Sequence, residues 1–253
     1  MRRFVSLILA LTAAGTSMLS AATLSDAKIL EASENIKYLT QKIAKDYLYM
    51  YTYPSKKRIH RKILDNVEDL EENIRDIALT TKDEKIKYIL DFFAYEKEQV
   101  KLILEKQISK ENADRVLDFS EALTEGAEKI AQSIKYEFTF EEKMFMRSKN
   151  IEYLVEKLAK YYMVLGSDVN KATIPEKLGQ TVSIVEEELA KIQEYIYPKA
   201  LDSQKKELLK FWQANKHYYD TASTVKIPSI LLLSTNGLQN IIQRIAIHHS
   251  KGE

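Results

Sequence analysis

The stretch Asn35-Ile36-Lys37-Tyr38-Leu39-Thr40-Gln41-Lys42-Ile43-Ala44-Lys45-Asp46-Tyr47-Leu48 recurs without a gap as Asn150-Ile151-Glu152-Tyr153-Leu154-Val155-Glu156-Lys157-Leu158-Ala159-Lys160-Tyr161-Tyr162-Met163. Eight positions are identical, where average composition gives about one by chance. The same offset carries Ile59, Ile63, Val67, Leu70, Ile74 and Ile77 onto Ile174, Leu178, Val182, Val185, Leu189 and Ile192, apolar in both copies. Phe92-Phe93 then pairs with Phe211-Trp212 after a short insertion, and Gly126, Ile130 and Ile134 pair with Gly237, Ile241 and Ile245. The length changes fall where loops are expected, and loops tolerate them. A tandem duplication accounts for the pattern.

Within each copy the apolar period is helical. Ile29, Ala32, Ile36, Leu39, Ile43, Tyr47 and Met50 step by three or four, the stripe of a helix facing one core. The second copy repeats it as Met144, Arg147, Ile151, Leu154, Leu158, Tyr162 and Leu165. The spacing predicts helices near 25–52, 55–79, 82–107 and 110–136, then 140–165, 174–195, 200–222 and 228–249. Thr81…Glu84, Thr139…Glu142 and Thr173…Glu176 read as capping boxes, and Pro175 and Pro228 lie near helix starts. Short connections imply antiparallel neighbours. The expected fold class is all-α: two tandem up-down four-helix bundles after a signal peptide, divided as 1–22, 23–137 and 138–253. Through YEFTFEE the fourth helix is expected to run almost directly into the fifth.

Composition agrees. The 253 residues hold only 6 Gly and 4 Pro, too few turn residues for sandwiches, barrels or phosphate-cradling Gly loops. With no Cys there is no disulfide, thiolate metal site or Cys nucleophile. A net charge of +1 gives no global attraction to nucleic acid.

Arg2 and Arg3 precede an uncharged stretch, Phe4 to Leu24, that ends in the small-residue pattern Ser20-Ala21-Ala22. That reads as an export signal cleaved after Ala22, and an uncleaved membrane anchor is the rival reading. The later apolar run at 229–234 is too short to span a bilayer. The expected location is the periplasm of a double-membrane bacterium.

Enzyme signatures are missing. The chain has no Glu-x-x-His pair, HExxH, GxSxG or P-loop. His60, His217, His248 and His249 read as surface histidines, with no metal site and no cofactor. Glu71-Glu72 and Glu186-Glu187-Glu188 read as solvated faces. The 15 Tyr cluster at predicted helix ends, as plugs with packed rings and wet hydroxyls, or alternatively as an aromatic docking surface.

The run Lys37-Tyr38-Leu39-Thr40-Gln41-Lys42-Ile43-Ala44-Lys45 with Tyr47 resembles the first-helix motif of NarX/PilJ-type sensor domains, found in nitrate sensor kinases and type IV pilus chemotaxis transducers. The resemblance covers about ten residues in each copy. It implies a periplasmic four-helix bundle whose basic motif residues hold a small anion where two first helices meet. Carried onto this chain, the candidate ligand residues are Lys37, Thr40, Gln41 and Lys42, with Lys157 in the second copy. Lys is a point charge without the guanidinium fork that clasps planar oxyanions. In the second copy Glu152 replaces the first basic position, and Val155-Glu156 replace Thr40-Gln41; two carboxylates there repel an anion. The family's second span, signalling stalk and kinase or methyl-accepting region are not in the sequence. Any output is therefore expected to pass to a separate partner, such as a membrane receptor or another periplasmic protein. The expected function is a sensor-like bundle that binds a small solute, an anion among the candidates, without catalysis. The alternative is a structural or protein-interaction bundle with a decayed ligand site.

Overall fold

The computed structural model describes side chains for residues 24–54, 58–169, 172–222 and 226–250. The expected signal segment, 1–22, lies outside those residues. Eight helices follow in order: α1 (Arg2–Thr52), α2 (Lys57–Thr80), α3 (Glu84–Leu104), α4 (Lys110–Ser133), α5 (Phe140–Leu165), α6 (Ile174–Glu194), α7 (Lys199–Asp220) and α8 (Pro228–Ser250). No strand occurs among the described residues, and no helix among them is long and apolar enough to cross a membrane.

Packing follows the duplication. In the first half α1 lies against α2 and α4, and α3 bridges α2 and α4; in the second half α5, α6, α7 and α8 repeat those neighbours. Cross-links fix the directions. Asn35 donates to Asn73 and Lys62 reaches Asp46, so α1 and α2 run antiparallel. His249 meets Glu141 and Gln239 donates to the Glu152 carbonyl, so α5 and α8 do too. The apolar positions that pair between copies line the cores: Ile63, Leu70 and Ile77 are fully enclosed, as are Val185, Leu189 and Ile192 within 2%.

The halves meet through α1 and α5, which touch along their length. Lys37 lies over the Tyr153 ring, Lys45 reaches Glu156, and Tyr51 donates to Asp168, so the two helices run in the same direction. This contact changes the burial pattern. A single apolar stripe predicts one buried face, yet every residue of Leu39–Met50 except Lys42 is buried, and every residue of Ile151–Val164 except Lys157. Each helix has an apolar face toward its own half and a polar face toward the other.

Three local expectations are corrected. The start of α3 is capped by Asp83, whose carboxylate accepts from the Lys85 amide at 2.7 Å, while Thr81 accepts the Asp83 amide one step earlier. Thr173 occupies the N-cap of α6 in a helical conformation, and its hydroxyl caps nothing; Pro175, which has no amide proton to satisfy, opens that helix. The connection from α4 to α5 is longer than the expected 137–139. Ile134 turns extended, and residues 134–139 form a non-helical connection ending in a complete Thr139–Glu142 capping box. An N-cap residue needs extended dihedrals, so that box cannot form inside a continuous helix.

The Tyr clusters act as plugs that also tie the halves together. Tyr49 bonds Ser229 and Tyr51 bonds Asp168 across the halves, while within the second half the Tyr162 hydroxyl accepts the Ile227 amide. The acidic runs bridge helices rather than only facing water: Glu71 holds Lys97 and Lys101, Glu186 holds Lys216, and Glu188 holds Arg147 at 2.8 Å.

Candidate functional site

The polar face shared by α1 and α5 is the natural place for a site, because it brings the two copies of the repeated motif side by side. Lys45 is 1% exposed and lies 2.6 Å from Glu156, also 1% exposed, with Asp46 at 3.4 Å on its other side. Burial pulls its ammonium down, but Asp46 and Glu156 outweigh that and lift it to about 12. Lys160, its counterpart in the second copy, turns instead toward α4, meeting the Ser120 hydroxyl at 3.3 Å and the Glu121 carboxylate. Burial dominates there, and repulsion from Lys157 and Lys177 adds to it, so Lys160 falls to about 8 despite Glu121.

Two tyrosines frame the seam. The Tyr153 ring receives Lys37 at 4.6 Å and Lys157 at 5.2 Å, and its hydroxyl accepts from Lys157 at 2.8 Å. Tyr38 receives only Lys42, at 5.1 Å, because the position matching Lys37 is Glu152. Both tyrosines are pushed well above the usual phenol range by burial first, then by neighbouring carboxylates. An ammonium over an aromatic face is held by the ring quadrupole, and more strongly where water is excluded.

The sequence-predicted residues therefore divide. Lys37 and Lys157 converge on one ring, but Lys37 is already paired with Glu34 at 2.7 Å. Lys42 stands apart on Tyr38; burial lowers Lys42 and Lys157 alike, and these two are the only residues of Leu39–Met50 and Ile151–Val164 not fully buried. Thr40 and Gln41 face away from the seam. Thr40 bonds the Lys37 carbonyl and Thr124, and Gln41 donates to Thr124 at 2.7 Å. Sequence reasoning missed Lys45, Glu156 and Lys160 as seam residues. The available signal was a lysine conserved between the two copies inside a helix with little exposed surface.

At the end of the seam nearest the start of the described chain, the non-helical connection 134–139 leaves a cleft of about 600 Å³ between α1, α5 and α8. Its walls include Phe138, Phe145, Met146 and Ala246, with Lys149 and Glu152 on α5. Glu152 is 2% exposed; Lys149 lies 3.4 Å from its Oε2, and its Oε1 has no hydrogen-bond partner. Burial raises the Glu152 carboxyl above the ordinary range, with Lys149 opposing. Beside the cleft, His249 is buried rather than a surface histidine: it meets Glu141 at 2.5 Å and the Tyr197 hydroxyl at 2.9 Å. Those bonds clasp the last turn of α8 to the first turn of α5, and desolvation lowers the imidazole despite Glu141.

Compared with family models, curated proteins and solved structures, the chain has no match.

Proposed function

We propose that the protein is an exported, sensor-like pair of tandem up-down four-helix bundles that binds a small solute at the contact between its two first helices and passes that state to a separate membrane receptor or periplasmic partner. It works by binding, without catalysis. The observation that carries this reading is the parallel pairing of α1 with α5, two copies of one motif meeting along a polar face as two chains of a dimer would. The cleft at the end of the same contact has the size and mixed lining of small-molecule sites. Lys42 and Lys157 are the motif charges with access to solvent.

A second reading has its own support. Lys37, Lys45 and Lys160 are already matched by Glu34, Glu156 and Glu121, so the inherited anion site of the motif is internally neutralised. That favours a structural or protein-interaction bundle.

A thermal-shift screen of the purified protein against small solutes, nitrate and nitrite included, separates them. A ligand at 100 times its Kd adds about 2.7 kcal/mol, a shift of a few degrees for a chain of this size. Nitrate stabilisation lost in Lys37→Ala and Lys42→Ala places the anion at the motif. Stabilisation that survives both substitutions removes those lysines from the site, and no shift with any solute transfers the choice to the interaction reading.

A further inference from the structure

We infer that the cleft beside Glu152 is a site for an organic cation, an ammonium group carried on an apolar body. This rests on the solute-binding reading above and fixes the chemical class of the ligand.

The sign of the site follows from what is unpaired. Glu152 is almost wholly enclosed, yet its Oε1 accepts from nothing. One turn of α8 away from the cleft-lining Gln243, Gln239 spends its amide on the Glu152 carbonyl, and its own Oε1 is likewise without a donor. A buried polar atom without a partner carries its full desolvation cost, so such atoms ask for an explanation. Both lack a donor. An anion brings only acceptors, whereas an ammonium brings donors and a positive charge.

The charges around the cleft agree. Glu31, Glu142 and Glu152 line it against a single ammonium, Lys149. Glu142 is committed to Thr139 and Tyr136, which keeps it ionised, and both ring nitrogens of His249 are occupied by Glu141 and Tyr197. Lys149 meets Glu152 only at Oε2, 3.4 Å away, and leaves the second oxygen free. The apolar part of the ligand has Phe138, Phe145 and Met146 to lie against. Phe145 already receives the Lys149 ammonium at 5.9 Å, so its face is presented to positive charge.

The duplication gives the inference its logic. Glu152 stands where the first copy has Lys37, and Lys37 is satisfied by Glu34 and the Tyr153 ring. The position that is basic in the first copy is the one that places a carboxylate with an unpartnered oxygen at the cleft in the second.

The test measures binding by calorimetry with 2-phenylethylamine and benzyltrimethylammonium, against neutral 2-phenylethanol, anionic phenylacetate and nitrate, on the wild type and Glu152→Gln. Gln keeps the shape and removes the charge, and it relieves the desolvation of a buried carboxylate, so the variant is expected to fold with unchanged or higher melting temperature. The expected result is saturable binding of the amines and not of the neutral or anionic probes, weakened about tenfold or more in Glu152→Gln, as for a lost charged hydrogen bond. Amine binding unaltered by that substitution overturns the assignment to Glu152. Binding of nitrate or phenylacetate but not of the amines overturns the cation class and leaves the solute-binding reading intact. No binding by any probe, together with a negative solute screen, overturns both.

Discussion

Lys45 and Lys160 occupy the same position in the two copies and carry opposite shifts, which shows how few substitutions separate two environments. Opposite Lys45 stands Glu156, and beside it Asp46; the matching residues in the other copy are Gln41 and Tyr161, so Lys160 has neither carboxylate. Lys160 is disfavoured as a cation in the fold. Its penalty is therefore complete below about pH 8 and lifts as pH rises from there toward the 10.5 of a free lysine. Lys45 behaves the other way, its contribution being complete below 10.5 and lost as pH rises through about 12. Side-chain NMR of the lysines is expected to show one ammonium titrating near 8 and one near 12. Gln41 and Lys160 both contact Ser120, so Gln41→Glu places a carboxylate beside Lys160 and is expected to move its midpoint upward. An unmoved midpoint means the two side chains do not face each other.

At the scale of elements, three helical glycines give a graded test. A β-carbon on Gly126 collides with the enclosed ring of Phe93; on Gly237 it comes 2.9 Å from Phe211, a half-buried ring; on Gly179 it meets nothing within 4 Å. Alanine gains up to about 1 kcal/mol of helix propensity at each position. Overpacking costs about 1–3 kcal/mol where the neighbour cannot yield. Urea denaturation is expected to rank Gly179→Ala above wild type, Gly237→Ala near it, and Gly126→Ala below by about 1–2 kcal/mol. The eight helices were legible because apolar residues recur at three and four; apart from the start of α1, expected near 25 and observed at Arg2, the observed ends fall within a few residues of those expected. The second buried face of α1 and α5 was not legible, because hydrophobic periodicity reports only apolar contacts. Period alone marks none of Lys37, Lys45 and Glu156 as buried; only the family resemblance singled out Lys37 and set it where two first helices meet. The break at 134–139 was half legible: Thr139…Glu142 announced the helix start at 140, while the helix before it was expected to reach 136 and ends at Ser133.

For the whole molecule, the contact between α1 and α5 makes the halves interdependent. Glu156→Gln leaves Lys45 enclosed with only Asp46, and breaking such a buried pair costs about 3–5 kcal/mol, here nearer the lower value because one carboxylate remains. Calorimetry of the wild type is expected to show one unfolding transition, and the variant a lower melting temperature. Two separate transitions in the wild type would mean that each half is stable alone and the contact adds little. The candidate site belongs to this scale too. Its walls come from α1, the 134–139 connection, α5 and α8, which no single run of sequence brings together, so the motif pointed to α1 and α5 and not to the cleft.

The ion pair between Lys45 and Glu156 joins residues 111 apart in sequence. A chain emerges from the ribosome N-terminus first, so the whole first half is made, and three more helices follow α1, before the mate of Lys45 exists. Until then the lysine has Asp46, its immediate neighbour, as chaperone for its charge. Lys45 thus gains its second carboxylate only when α5 arrives, and that contact is the last one α1 can complete along this face.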